Sequence, residues 1–539
     1  MKLHKLNARL FQIARTWADQ HFNPAVGLIL ARHPPSVHTV GNPAHLLRES
    51  LYYAYGLLFS GSKDELLRAI KIIDLVLTKQ NLDSSSQYWA CFTCEWEQDW
   101  ETWSSPDMNW AQFMGLILAF ILTLDKEKGI LPAESVEKIR VAFDLTVKAT
   151  LRRDVTPSYT NISFLSAAVA AAGTTILGDK NSEEFAFRKL TEVHSRLKDG
   201  GTFDEYLSPT YYGTNLYGLY AAKLFAPSER VRNGALGLID FLWNDISASY
   251  HPKTCQLAGP HSRAYGDNML DYEAKIKNFI YLALEGNYPL NDVEISHSHD
   301  SAGLFIISTL EVDAIPELGK HTSGYRELSI PSDKGESHLL RQYREDCFIL
   351  GTVNEQDEWQ QRRNLLAYWV VDGVHKVGIG KGAAFLDGGE FKPARFYSSQ
   401  VGPSALVALN LSRTPKSRAK AGYRFTVNAV PNHHIISSSG DIMLQFSGRN
   451  IRIAPFPLGP KPELLLENEI TSIVWTFPAD QTGNAWLAFA VAFSQPDETI
   501  SSFERLSAVF DKGKWTFSAI LDEASLELSV LSVPQSKTF

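Results

Sequence analysis

Apolar residues recur at three- and four-residue intervals through most of the first 290 positions, as in ELLRAIKIIDLVLTKQ and SVEKIRVAFDLTVKATLRR, each of which gathers them on one helical face. The opening MKLHKLNARLFQIARTWADQ does the same with Leu3, Leu6, Leu10, Ile13 and Trp17, and reads as a first structural helix. Beyond about residue 300 the period drops to two. GDIMLQFSGRNIRIAPFP and ASLELSVLSV alternate apolar and polar positions between Gly, Asn and Pro turns. The change predicts a helical domain over residues 1–290 and an antiparallel β-sandwich over 291–539, joined within NYPLNDVEISHSHD.

The helical half contains a repeat. Ser105-Pro106, Thr156-Pro157, Ser208-Pro209 and Gly259-Pro260 stand 51, 52 and 51 residues apart, and Asn42-Pro43 fits as an earlier member after a longer insertion. A small polar residue or Gly before Pro suits an N-cap followed by the first helical position, so each proline is expected to begin a helix. About 50 residues accommodate one helical hairpin, which makes helices one period apart parallel and brings their N-termini to one end.

That end is chemically unusual. Asp107 and Asn109 follow the first proline, Asn161 the second, Tyr211 and Tyr212 the third, and His261 and Arg263 the fourth; Asn161, Tyr212 and Arg263 are themselves 51 and 51 residues apart. Helix N-termini attract anions, an Arg fork matches a carboxylate, and an amide that bonds the same carboxylate favours its enediolate form. A tyrosine within reach could carry the proton removed from the neighbouring carbon. Together these roles describe β-elimination beside a carboxylate. The stretch GGTFDEYLSPTYYGTNLYGLYAA holds five tyrosines, and buried phenols need partners, so it forms either a wet core or a cleft wall.

Composition narrows the partners. A net charge of -8 with a pI near 6.0 excludes a generally nucleic-acid-binding surface, and an anionic substrate then requires a locally basic pocket. Cys91 and Cys94 have metal or redox spacing, but without a second such pair, and with only Cys255 and Cys347 besides, they read as buried thiols; no metal or cofactor is expected. The longest apolar run, FMGLILAFILTL, is too short for the roughly 20 residues of a membrane span, and the first helix lacks a signal-like apolar core, so no membrane span is expected and no signal peptide is read in this sequence, which leaves secretion open. Asn161-Ile162-Ser163 is a glycosylation sequon that would disable a catalytic amide, which favours an intracellular or bacterial setting.

TNISFLSAA around Asn161, EYLSPTYYG around Tyr212 and GPHSRAYGD around Arg263, in a helical half followed by a β half, resemble the toroid-plus-sandwich polysaccharide lyases: hyaluronate and chondroitin lyases, the heparinase II/III group and some alginate lyases. The resemblance implies an incomplete (α/α) toroid ahead of the sandwich and an acidic polysaccharide substrate. It also implies an Asn that neutralises the uronate (Asn161, with Arg263), a Tyr as acid and often base (Tyr212), and an assisting His or Arg. No His stands just before the tyrosine, so His261, His338 or the HSHD cluster would replace it.

Bland readings stand beside these. Asn161 could complete a capping turn at Thr156, Arg263 could pair with Asp267 one helical turn on, and His297, His299 and Asp300 could form an exposed linker rather than a metal site. Of Tyr211 and Tyr212, one is expected in the core and one in the cleft; the spacing favours Tyr212 for chemistry and Tyr211 for substrate contact. Trp89, Trp96, Trp100, Trp103 and Trp110 precede a rim helix and form either a sugar platform, with Asn109, or a packed loop. Arg362 and Arg363 reach the cleft or brace the sandwich edge. A toroid glycoside hydrolase using a carboxylate pair near Asp204 and Glu205, a uronate epimerase and a non-catalytic glycan-binding protein remain alternatives.

Overall fold

A computed structural model describes the chain apart from residues 1–4, 33–37, 39–40, 272–273, 291–298, 321–322, 332–336, 372–375, 388, 391–393, 412–419, 439, 478–484, 499–502, 522–523 and 532–539. Ten helices of nine or more residues are described: α1 (Lys5–His21), α2 (Leu47–Ser60), α3 (Lys63–Leu77), α4 (Trp110–Lys128), α5 (Ala133–Arg153), α6 (Thr160–Ala172), α7 (Lys180–Gly200), α8 (Tyr211–Leu224), α9 (Glu229–Ser249) and α10 (Lys275–Ala283). Leu10, Ile13 and Trp17 are the buried face of α1, as the pattern predicts; Leu3 lies outside the described residues.

The even-numbered helices form an inner row, with α2 against α4, α4 against α6, α6 against α8 and α8 against α10, while α1 touches both α2 and α10. Inner helices are apolar nearly all round: every residue of α6 is buried. Outer helices are amphipathic, as in α3, which starts with a Ser62–Glu65 capping box and buries only Ala69, Ile72, Ile73 and Val76. This is the expected incomplete (α/α) toroid. Thr160–Leu177, which runs from α6 into a π-helical turn, is long and apolar enough to cross a membrane, but 78% of it is buried inside the protein. Two features the helical pattern did not announce are a small sheet of Phe22–Asn23, Leu28–Ala31 and Ala44–Leu46 and a hairpin of Tyr250–His251 with Gln256–Leu257.

The proline repeat needs correction. α4, α6 and α8 begin at Trp110, Thr160 and Tyr211, two to four residues past their prolines, so Ser105, Thr156 and Ser208 are not N-caps. The turn at Thr156 is closed by the Tyr159 N–H and the Ser163 hydroxyl, both donating to its carbonyl. Pro260 begins no helix at all. The segment after it pairs like an extra strand with residues 361–363, through His261 N–H to the Arg363 carbonyl (3.1 Å) and Ala264 N–H to the Gln361 carbonyl (2.6 Å). Gly351 lets the Gly259 carbonyl lie directly on the sheet, where any side chain at 351 would collide with it.

The β half is antiparallel throughout. Gly324–Pro331, Ser337–Glu345, Phe348–Val353, Leu365–Val370 and Val377–Leu386 meander side by side, and Ala421–Val427, Ile470–Phe477 and Glu463–Glu467 extend the same sheet. A second sheet runs from Glu355–Asp357 through Arg395–Val401, Ser404–Asn410 and Trp486–Ser494 to His433–Ile436. Rings from both interlock between them, Trp475 stacking on Phe489 at 4.8 Å and Tyr423 at 5.7 Å from the same ring. A third sheet, Glu504–Asp511, Lys514–Leu521 and Ala524–Leu531, adds Phe517 and Leu526 to a core with Tyr397, Leu406 and Trp486. That extra layer explains why Ser404–Asn410 and residues 486–493 are buried at every position instead of alternating.

By contacts the chain groups into two compact units: Met1–Lys198 with Pro209–Asp245 and Met269–Pro316, and Asp199–Ser208 with Ile246–Asn268 and Glu317–Phe539. Most of the expected join, His297 included, lies outside the described residues.

Candidate active site: a rim of helix N-termini

In the first unit the starts of the inner helices meet. The Arg48 guanidinium, in the first turn of α2, lies 5.7 Å from the ring of Trp110, the first residue of α4. Asn109, just before α4, donates from its amide to the hydroxyl of Tyr159, just before α6 (2.8 Å). Gly213 in α8 sits against the backbone of Lys275 and Ile276 at the start of α10, so close that a Cβ there would fall 2.4 Å from the Ile276 nitrogen. Asp300 accepts from Arg48 at 2.9 Å and stands 3.6 Å from the Lys275 ammonium, which links α10 back to α2. Gly218 likewise lets α8 approach α6 closely, where a Cβ would fall 3.1 Å from Phe164 and 3.2 Å from the Leu165 nitrogen. Five N-termini on one rim make a surface that favours anions.

The rim's own charges are matched. Burial opposes the charge on Arg48, but Glu49 and Asp300 outweigh it and hold the guanidinium's pKa above its usual value. Asp300 is therefore a partner of Arg48 and Lys275, whatever the sequence suggested of an HSHD linker. Burial pushes the phenol of Tyr52 up to about 12, and that of Tyr217 well above its usual value.

Among the residues singled out by sequence, Asn161 occupies the first turn of α6 and is 1% exposed. Tyr212 is fully buried and donates from its hydroxyl to the Asp245 carboxylate of α9 at 2.6 Å. Its neighbour Tyr211 keeps partial solvent access at the first position of α8. Of the other tyrosines in that stretch, Tyr217 is buried near Tyr52 and Tyr220 accepts from the Trp243 indole at 3.0 Å. They form a polar-studded core, and Tyr211 is the member facing outward.

The tryptophan loop packs against the protein. Trp103 is buried and donates to the His38 carbonyl at 3.1 Å, Trp100 donates to the Lys79 carbonyl, and Trp89, Trp96 and Trp110 lie under Arg152, Lys79 and Arg48. Cys91 and Cys94 are buried free thiols, and burial raises both pKa values, Cys91 to about 11.

His261, Arg263, His338 and Arg362 belong to the second unit. Arg263 is not in a helix and does not pair with Asp267. Its guanidinium donates to Glu205 at 3.2 Å and Gln361 at 2.9 Å and lies 5.2 Å from the Trp359 ring, with Arg362 at 5.8 Å from that ring. Asp267 instead accepts from Arg363 and from Lys381 (2.7 Å). His261 is 1% exposed; burial, reinforced by the nearby Arg363 charge, pushes its imidazole down to about 3. His338 is half-buried, and burial lowers its pKa as well. Sequence reasoning missed Arg48, Tyr159 and Trp359. Extending the repeat back to Pro43 would have placed Arg48 in a first helical turn; the other two have no periodic signal.

Residues 8–311 match the family model described as Domain of unknown function (DUF8769), and the chain belongs to that family. A search of the curated proteins found no match. Solved structures similar to the chain include heparinase III (10% identity, 98% of this chain and 91% of that one, TM-score 0.49). A chondroitin AC lyase mutant of Streptomyces coelicolor A3 is 11% identical over 96% of this chain and 85% of that one, with a TM-score of 0.47. A Paenibacillus xanthan lyase is 10% identical over 95% of this chain and 59% of that one, with a TM-score of 0.44.

Proposed function

We propose that this protein cleaves a uronate-containing polysaccharide by β-elimination. The observation that carries the reading is the shared rim, on which Asn161 and Tyr211 occupy first turns of two packed inner helices. The N-termini attract the uronate carboxylate, and the Asn161 amide bonds it more strongly as it gains enediolate charge. Tyr211, acting as its phenolate, removes the proton from the carbon beside the carboxylate and becomes the neutral phenol. The electrons of that C–H bond form a carbon–carbon double bond, the glycosidic C–O bond on the next carbon breaks, and the leaving oxygen takes a proton from Tyr211.

The role passes from Tyr212 to Tyr211 because the Tyr212 hydroxyl is committed to the Asp245 carboxylate of the outer helix α9, whereas Tyr211 at the helix start keeps solvent access. Arg263 is paired with Glu205 in the second unit and carries no step of this reading. That ion pair ties up the Glu205 carboxylate and weighs against it as the proton donor of a hydrolase.

The test is a panel of acidic polysaccharides followed by the ultraviolet absorbance of the unsaturated product. Appearance of that absorbance, abolished in Tyr211→Phe and retained in Glu205→Gln, supports elimination. Saturated products without the absorbance, lost in Glu205→Gln or Asp204→Asn, would establish hydrolysis instead.

A further inference from the structure

A pocket of about 410 Å³ opens on the first unit between residues 85–91, the start of α4 and the end of α5, lined among others by Trp89, Cys91, Gln112, Arg152 and Arg153. None of its lining residues is acidic, in a chain whose net charge is -8. Neither arginine forms an ion pair among the described residues. Arg152 donates to the carbonyls of Ser84 (3.2 Å) and Ser86 (3.0 Å), with its guanidinium 4.7 Å from the centroid of the Trp89 ring. Arg153 donates to the Asn109 amide oxygen at 2.9 Å. Asp107, whose charge also reaches Cys91, is engaged by the Asn109 N–H. Two guanidinium groups oriented by neutral acceptors and an indole keep their full charge and several of their five N–H donors for a ligand.

We propose that this pocket binds a carboxylate or sulfate group of an acidic saccharide, outside the residues assigned to the chemistry. Arg153 bonds Asn109, and Asn109 bonds Tyr159 at the head of α6, so an anion held by the arginines is tied through two hydrogen bonds to the helix that carries Asn161. Only the ligand's identity rests on the function proposed above, because the pocket's charge and shape are independent of any turnover.

The test is calorimetric titration of the full chain at low salt with a chondroitin sulfate hexasaccharide, a hyaluronan hexasaccharide, a neutral cellohexaose and sodium sulfate. The acidic hexasaccharides are expected to bind and cellohexaose not to. Arg152→Gln should weaken binding about tenfold, since an exposed charged contact is screened. Arg152→Lys should recover only part of it, because an ammonium lacks the stacked fork. Arg152 is exposed, so these variants should keep the wild-type melting temperature even if Arg153→Gln does not fold. Affinity unchanged within twofold in Arg152→Gln would overturn the proposal. Sodium sulfate binding as tightly as the hexasaccharides would replace the saccharide by a free ion and overturn it too. Loss of binding in Arg152→Gln on a chain that forms no unsaturated product would sink the lyase reading and leave the pocket standing; unsaturated product formed at unchanged KM in Arg152→Gln would do the reverse.

Discussion

Replacing each of the adjacent tyrosines by phenylalanine separates the two roles the structure suggests. In Tyr212→Phe the ring still fills its place in the core, so no cavity forms, but the Asp245 carboxylate loses a 2.6 Å donor at a site where it is itself only 2% exposed. A hydrogen bond to a charged group contributes about 1.5–3 kcal/mol, and with so little exposure water is a poor substitute. The helical unit should therefore lose about 2 kcal/mol, a fall in melting temperature on the order of 5 °C, followed by the helical circular-dichroism signal because the two units need not unfold together. Turnover by the folded protein should survive. Tyr211→Phe removes a hydroxyl with partial solvent access and should stay within about 0.5 kcal/mol of wild type while abolishing product formation with little change in substrate affinity. An inactive Tyr212→Phe protein that melts like wild type, beside an active Tyr211→Phe protein, would refute the assignment and restore the role that the 51-residue spacing suggests.

Two further outcomes follow from buried groups. His261 is held near 3 in the folded protein and lies near 6.5 when unfolded, so between those values the unfolded state binds the extra proton and stability declines as pH falls. Across pH 6.5 to 4, wild type should lose up to about 1.4 kcal/mol per pH unit relative to His261→Gln in urea unfolding; parallel pH profiles would contradict a buried neutral imidazole. Gly213→Ala forces a Cβ against the α10 backbone and should destabilise the helical unit by about 1–3 kcal/mol or more, while a stability equal to wild type would show that α8 and α10 do not meet there.

The sequence by itself was enough for the fold class, helices followed by an antiparallel sandwich. Hydrophobic periodicity is a local property, so the change from 3.6 to 2 near residue 300 marks where the long helices give way to the large sheets, and three of the four prolines sit just ahead of the inner helices α4, α6 and α8. Asn161 in a first turn was legible for the same reason. Only the tertiary structure decided the rest, because it depends on what packs against each side of an element. Tyr211 and Tyr212 are chemically alike and 100° apart on one helix, and the outer helix with Asp245 selects which of them is buried. Arg263 has Asp267 one helical turn away in sequence, yet its partner is Glu205, and Asp267 belongs to Arg363 and Lys381. Pro260 carries the same local signal as the other three but begins no helix, since the main chain beside it forms hydrogen bonds with residues 361–363. A capping signal states which conformations a segment tolerates, and a competing set of backbone hydrogen bonds from distant chain determines the one it adopts.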